Sequence, residues 1–96
     1  MKKLDELSIF FPFWNEEKNI AKVVNSAIPI ASKVAKKWEI IMIDDGSSDK
    51  TVEIGQKLAE ANSGLRIIAH KPNRGYGAAL KEGLINAKYK LIVLGL

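Results

Sequence analysis

Cysteine is absent from all 96 residues, which removes disulfides, thiol nucleophiles, cysteine-ligated zinc and dithiol redox motifs at once. A chain of this length buries roughly two-thirds of the surface its unfolded form exposes, so a core can form without such staples. Histidine occurs once, at His70, with neither a carboxylate nor a second ligand close to it in sequence, and reads as a strand-end residue without a catalytic role. Long apolar runs are missing too: none approaches the roughly 18 residues that span a bilayer, and Met1-Lys2-Lys3 is not followed by a signal-peptide core. Repeats, low-complexity tracts and linkers are likewise missing. These absences lead us to expect a single cytoplasmic domain over residues 1–96. Excess charge is slight: 15 Lys and Arg against 11 Asp and Glu leave +4, and the lysines are spread over every predicted helix. Dispersed basicity of this kind describes a solvated surface, so no nucleic-acid partner is expected.

What is present is an alternation of short apolar runs and amphipathic stretches. Leu7-Ser8-Ile9-Phe10-Phe11 is apolar and β-favouring and stops at Pro12, which suits a buried strand ending in a loop. From Glu16 to about Lys36, Ile20, Val23, Val24, Ala27, Ala31 and Val34 recur at helical spacing, with Asn15 placed to cap the helix and Pro29 expected to kink or break it. Glu39 to Ile43 is nearly continuous in its apolarity, the pattern of a parallel strand covered on both faces. A helix from Ser48 or Asp49 to about Ala61, a strand from Leu65 to Ala69, a helix to about Ala87 and a strand from Leu91 to Leu94 complete the order β-α-β-α-β-α-β. Parallel pairing through crossover helices then gives a three-layer α/β fold, whose ligands bind outside the carboxyl ends of the strands.

Three polar segments fall at those ends. In Asp44-Asp45-Gly46-Ser47-Ser48-Asp49, two adjacent carboxylates follow a buried strand and need donors to satisfy them, which Gly46, Ser47 and Ser48 can supply. A carboxylate there can accept the N–H of a uracil or a guanine; equally, the pair can simply build a turn while Asp49 caps a helix. In Pro12-Phe13-Trp14-Asn15-Glu16, Trp14 offers a flat apolar face and Glu16 a carboxylate suited to ribose hydroxyls, or else Trp14 packs on the helix and Glu16 stabilises its first turn. Asn73-Arg74-Gly75-Tyr76-Gly77 opens a helix with a cation and two glycines, permitting close approach to a phosphate. It is not the dinucleotide fingerprint, because Leu80 stands where a third glycine would be needed. Gly83 reads as a site of tight helix-to-sheet packing.

Taken together, these segments resemble the amino-terminal, nucleotide-sugar-binding half of the family-two inverting glycosyltransferases of GT-A fold. The likeness rests on Pro12 to Glu16, on Asp44-Asp45-Gly46-Ser47-Ser48-Asp49 with Thr51, and on Asn73-Arg74-Gly75-Tyr76-Gly77-Ala78 with Gly83, and covers nearly the whole chain. The Gly-x-Gly-x-Ala form looks most like the polyprenyl-phosphate sugar transferases, which move mannose or glucose onto dolichyl or undecaprenyl phosphate. The resemblance implies a Rossmann-like sheet in the order 3-2-1-4 and a UDP-sugar or GDP-sugar donor. It implies that Pro12, Trp14 and Glu16 hold base and ribose, with Trp14 standing where tyrosine is usual. Ile43 and Asp45 would contact the base and Ser47 the nucleotide, with Asp44 and Arg74 as secondary candidates.

Family members place an Asp-x-Asp motif for Mg²⁺ or Mn²⁺ right after the fourth strand, where this sequence reads Leu94-Gly95-Leu96. We therefore expect a donor-binding fragment, with a metal used by the full-length enzyme but not held tightly here, no catalytic residue within the chain, and no activity alone. The acceptor implied is a lipid phosphate or a glycan, met at the cytoplasmic face of a membrane. An unpaired edge on the fourth strand would favour self-association. Two other classes compete: a non-catalytic α/β interaction module, and a receiver-type signalling domain. The receiver needs its acidic pair after strand one and an acceptor aspartate after strand three, whereas the pair here follows strand two and strand three ends in His70-Lys71-Pro72.

Overall fold

A computed structural model describes residues 2–95. The order is β1 (Leu4–Phe13), α1 (Ile20–Val34), β2 (Ala35–Asp45), α2 (Thr51–Ala61), β3 (Leu65–His70), α3 (Tyr76–Asn86) and β4 (Ile92–Leu94). All pairings are parallel and the sheet runs β3-β2-β1-β4, the expected order, with Phe10 level with Ile41 on one side and with Leu94 on the other.

Strand pleating sorts the core into two faces. Leu7, Ile9, Phe11 and Phe13 of β1, with Ile40 and Met42 of β2, pack against Ile20, Val24, Ala27 and Ala31 of α1, and the partly buried Ile54 and Leu58 of α2 join them. Phe10, Ile41 and Ile43 point the other way, onto Ala79 of α3. Gly83 of α3 lies so close to Phe10 that a Cβ there would run into the ring, which accounts for the glycine in that helix as a packing residue.

Several boundaries depart from expectation. The helix predicted from Glu16 begins at Ile20, and Asn15 does not cap it: Asn15 sits at φ 51°, in the left-handed region, in the preceding loop. Pro29 does not break α1. It lies on the exposed side with Asn25, whose carbonyl loses its helical donor but keeps access to water. Strand β1 continues through Pro12, which pairs in register with Ile43. Ser8 and Phe10 direct their backbone groups to the β4 side, and Pro12 shares that parity beyond the last β1–β4 pair, so its missing N–H removes no ladder bond. Strand β2 starts at Ala35, where the helix was expected to persist, because Leu4 to Glu6 extend β1 and pair with Ala35 to Lys37.

Candidate functional site

The carboxyl ends of β1, β2 and β3 deliver the three polar segments to one end of the sheet, and the Asp44–Thr51 run ties them together. Asp44 and Asp45 are adjacent in an extended strand and so face opposite sides of it. On the α1 side, the buried Asp44 accepts hydrogen bonds from the Ser47 N–H (3.0 Å) and the Ser47 hydroxyl (2.5 Å), closing a turn at Gly46. The Ser47 oxygen in turn accepts the Asn15 N–H at 2.8 Å, and the Asn15 side chain accepts the Ser48 N–H at 2.9 Å. Glu16 donates its N–H to the Thr51 hydroxyl at 2.8 Å and Glu17 donates to Asp49 at 3.2 Å. The loop after β1 is thereby laced, residue by residue, onto the loop after β2.

Asp49 was expected to cap α2, but Lys50 holds the cap position; Asp49, one residue earlier, closes a local turn by accepting the Thr51 N–H at 2.9 Å and also the Thr51 hydroxyl. Desolvation pushes its carboxyl up, and the Thr51 hydroxyl and N–H and the Glu17 N–H outweigh this, leaving it below the usual carboxylate range.

On the α3 side, Asp45 braces the third segment. Its two oxygens accept the Arg74 N–H at 2.8 Å and the Gly75 N–H at 2.9 Å, and its main-chain oxygen accepts the Asn73 amide at 2.8 Å. Gly46, at φ 77°, makes this contact possible: a Cβ there would lie 2.5 Å from the Asn73 nitrogen.

Between β1 and α3 this arrangement leaves a cavity of about 280 Å³ lined by Pro12, Phe13, Trp14, Asp45, Asn73, Gly75, Tyr76 and Ala79. Of the residues singled out from the sequence, Pro12, Trp14 and Asp45 meet there. Trp14 is 56% exposed, with a face free to receive a planar ring. Tyr76, 59% exposed, joins the wall, and sequence reading passed over it because an aromatic at a helix start carries no distinctive spacing. Glu16 is not among the lining residues. It borders a larger cavity of about 660 Å³ beside α1, walled chiefly by apolar side chains such as Phe11, Val23 and Val93. Ile43 is fully buried with Phe10 and Ala79, beneath the cavity and not in its wall. Ser47 and Asp44 are engaged in the loop hydrogen bonds, and Arg74 contributes its N–H to Asp45 while its side chain is exposed. His70, read from the sequence as having no neighbouring carboxylate, is buried between two: its Nδ1 is 3.6 Å from Asp45 and its Nε2 is 3.5 Å from Glu82. Both partners are remote in the chain, so no local pattern could have shown them.

A parallel sheet with helices on both faces and its polar loops gathered at the strand ends defines an α/β ligand-binding fold. A profile of Glycosyl transferase family 2 matches residues 8–94, and the chain belongs to that family. It is 31% identical over 94 residues to the undecaprenyl-phosphate 4-deoxy-4-formamido-L-arabinose transferase of Edwardsiella ictaluri, covering 96% of this chain. To the dolichyl-phosphate beta-glucosyltransferase of Dictyostelium discoideum it is 35% identical over 96 residues, covering 91% of the chain. The chain spans 29% of the length of each of these two relatives.

Among solved structures, the mannosyltransferase PcManGT of Pyrobaculum calidifontis, in complex with GDP-Man and Mn²⁺, superposes with a TM-score of 0.79 at 20% identity, over 95% of this chain and 27% of that one. TarS of S. aureus, in complex with UDP-GlcNAc, gives 0.75 at 23% identity, over 93% of this chain and 25% of that one. The fold is that of the GT-A glycosyltransferases.

Proposed function

We propose that this chain supplies the nucleotide-sugar-binding part of a glycosyltransferase that transfers a hexose from a UDP- or GDP-sugar to a polyprenyl phosphate. The observation that carries the reading is the convergence of Trp14, Pro12 and Asp45 on one cavity at the carboxyl ends of β1 and β2. In this reading the base lies against Trp14, with Tyr76 on the cavity wall, and Asp45 accepts a base N–H through a lone pair its backbone donors leave free. Asp44 and Ser47 act through the loop geometry they hold, Ile43 supports the cavity floor, and Glu16 reaches the ribose from the rim. The Arg74 side chain is available to the diphosphate. The acceptor class follows the relatives named for undecaprenyl and dolichyl phosphate. A lipid acceptor in turn suggests work at the cytoplasmic face of a membrane; no described helix is long and apolar enough to cross one. The GDP-Man complex with Mn²⁺ makes a divalent ion part of the proposal for the full enzyme. Among the described residues no group of three His, Cys, Asp or Glu side chains could hold one, so none is assigned to it and no step is routed through it.

Titration calorimetry with UDP, GDP and their sugars tests the reading. Stacking on an aromatic side chain contributes about 1–3 kcal/mol per base, so Trp14→Ala should weaken binding roughly 5- to 150-fold. The exposed ring makes little of the core, so the melting temperature should stay near that of the wild type. Equal affinity in the two proteins would remove the cavity from consideration as the base site.

A further inference from the structure

The site as assigned does not use the buried imidazole behind it. His70 closes β3 on the α3 side of the sheet, 5% exposed, and neither ring nitrogen has a hydrogen-bond partner. The groups that face it are the Asp45 carboxylate on β2, 3.6 Å from Nδ1, and the Glu82 carboxylate on α3, 3.5 Å from Nε2. Its charged neighbours along the chain, Lys71 and Arg74, are exposed. A neutral imidazole carries one N–H and can satisfy only one carboxylate, leaving its bare nitrogen against the other; the doubly protonated ring offers an N–H to each. The same Asp45 oxygen that faces His70 accepts the Arg74 N–H, and the other accepts the Gly75 N–H, so any shift of this carboxylate is passed to the loop lining the cavity.

We infer that His70 is a positioning residue for the nucleotide site: wedged between Asp45 and Glu82, it fixes the Asp45 carboxylate and with it the 73–75 loop. This rests on the base-site reading above for its effect on ligand, but not for its effect on the loop. Removing the ring nitrogens should therefore weaken nucleotide binding through the loop, without any contact between His70 and the ligand.

Two measurements on the full chain separate this clamp from the base site. The amide resonances of Arg74 and Gly75, followed by NMR, should shift in His70→Phe, which keeps a ring of similar bulk but has no ring nitrogen, and should lie near their wild-type positions in His70→Asn, whose amide can stand where Nδ1 faces Asp45. UDP or GDP affinity should weaken about tenfold in His70→Phe, the scale of one hydrogen bond to a charged group, and recover in His70→Asn. Arg74 and Gly75 amides that are unmoved in His70→Phe, or that move as far in His70→Asn, overturn the clamp. If they move as expected and no nucleotide binds to the wild type or the variants, the clamp stands and the base-site reading falls.

Discussion

Replacing Glu39 by Gln tests how the end of the sheet opposite the site is held. Glu39 is 7% exposed, on β2. Its carboxylate accepts the Ser8 hydroxyl at 2.7 Å, the Lys88 N–H at 2.6 Å and the Arg66 Nε–H at 2.9 Å, and the Ser8 oxygen accepts the Tyr89 N–H at 3.0 Å. This one group therefore fastens β1, β3 and the connection between α3 and β4. Gln keeps the shape but loses the charge and turns an NH₂ toward one of three donors. A buried hydrogen bond to a charged group contributes about 1.5–3 kcal/mol. The Arg66 side chain is 43% exposed, so its ion pair falls in the weak surface range, adding about 0–1 kcal/mol. The expected loss is about 2–3 kcal/mol, or roughly 8–24 °C in melting temperature for a domain of this size.

The loss should depend on pH with a defined sign. Burial pushes the Glu39 carboxyl up, and Ser8, Lys88 and Arg66 together outweigh it, so the folded protein holds it below its ordinary value of 4.5. The unfolded chain then takes up the proton more readily, and the stability that Glu39 contributes is complete above about pH 4.5 and is lost as the pH falls through the lowered value. Urea titrations followed by circular dichroism should show wild type and Glu39→Gln far apart at pH 7 and converging below about pH 4.5. Equal midpoints at pH 7, or a gap that persists undiminished into acid, would refute the reasoning.

Gly83→Ala places a methyl group against the Phe10 ring; overpacking of about 1–3 kcal/mol should exceed the gain of about 1 kcal/mol in helix propensity, so urea unfolding should show a net loss. Asn15 combines a left-handed backbone at φ 51° with an acceptor for the Ser48 N–H. Asn15→Ala should forfeit both, costing about 2–3 kcal/mol, whereas Asn15→Gly relieves the backbone and forfeits only the hydrogen bond. Thermal melts in which Gly costs as much as Ala would show that the backbone conformation is unimportant.

The alternation of elements is legible because each apolar run has the period and length of its element, whereas the strand order came only from the family resemblance. What the sequence concealed came from contacts between distant residues. The helix was expected at Glu16 because Asn15, Glu16 and Glu17 suit a first turn, yet their main-chain N–H groups are taken by Ser47, Thr51 and Asp49, more than thirty positions on. That lacing delays the helix to Ile20. Pro29 is tolerated inside α1 because it and Asn25 face solvent, which periodicity alone does not show. Pro12, Trp14 and Asp45, singled out by residue type and place at strand ends, meet at one cavity, while the positions of Tyr76 and His70 depend on how α3 packs against the sheet.

The acidic run after β2 suits either a ligand contact or a turn. In the folded chain those two roles are not exclusive for Asp45. A carboxylate has about four acceptor positions, and Asp45 commits one to the Arg74 N–H and one to the Gly75 N–H, with His70 close to the first oxygen. Asp44 differs, since both of its oxygens turn inward to Ser47 and it is 1% exposed. The two aspartates thus divide the work by strand parity: Asp44 shapes the turn whose Ser47 and Ser48 bond Asn15, the residue after Trp14, and Asp45 secures the opposite wall while remaining at the cavity surface. If the proposed base contact is made, a side chain already fixed by two backbone donors would lose little further freedom on accepting a base N–H, the physical advantage of building such a contact from a residue that also braces the wall.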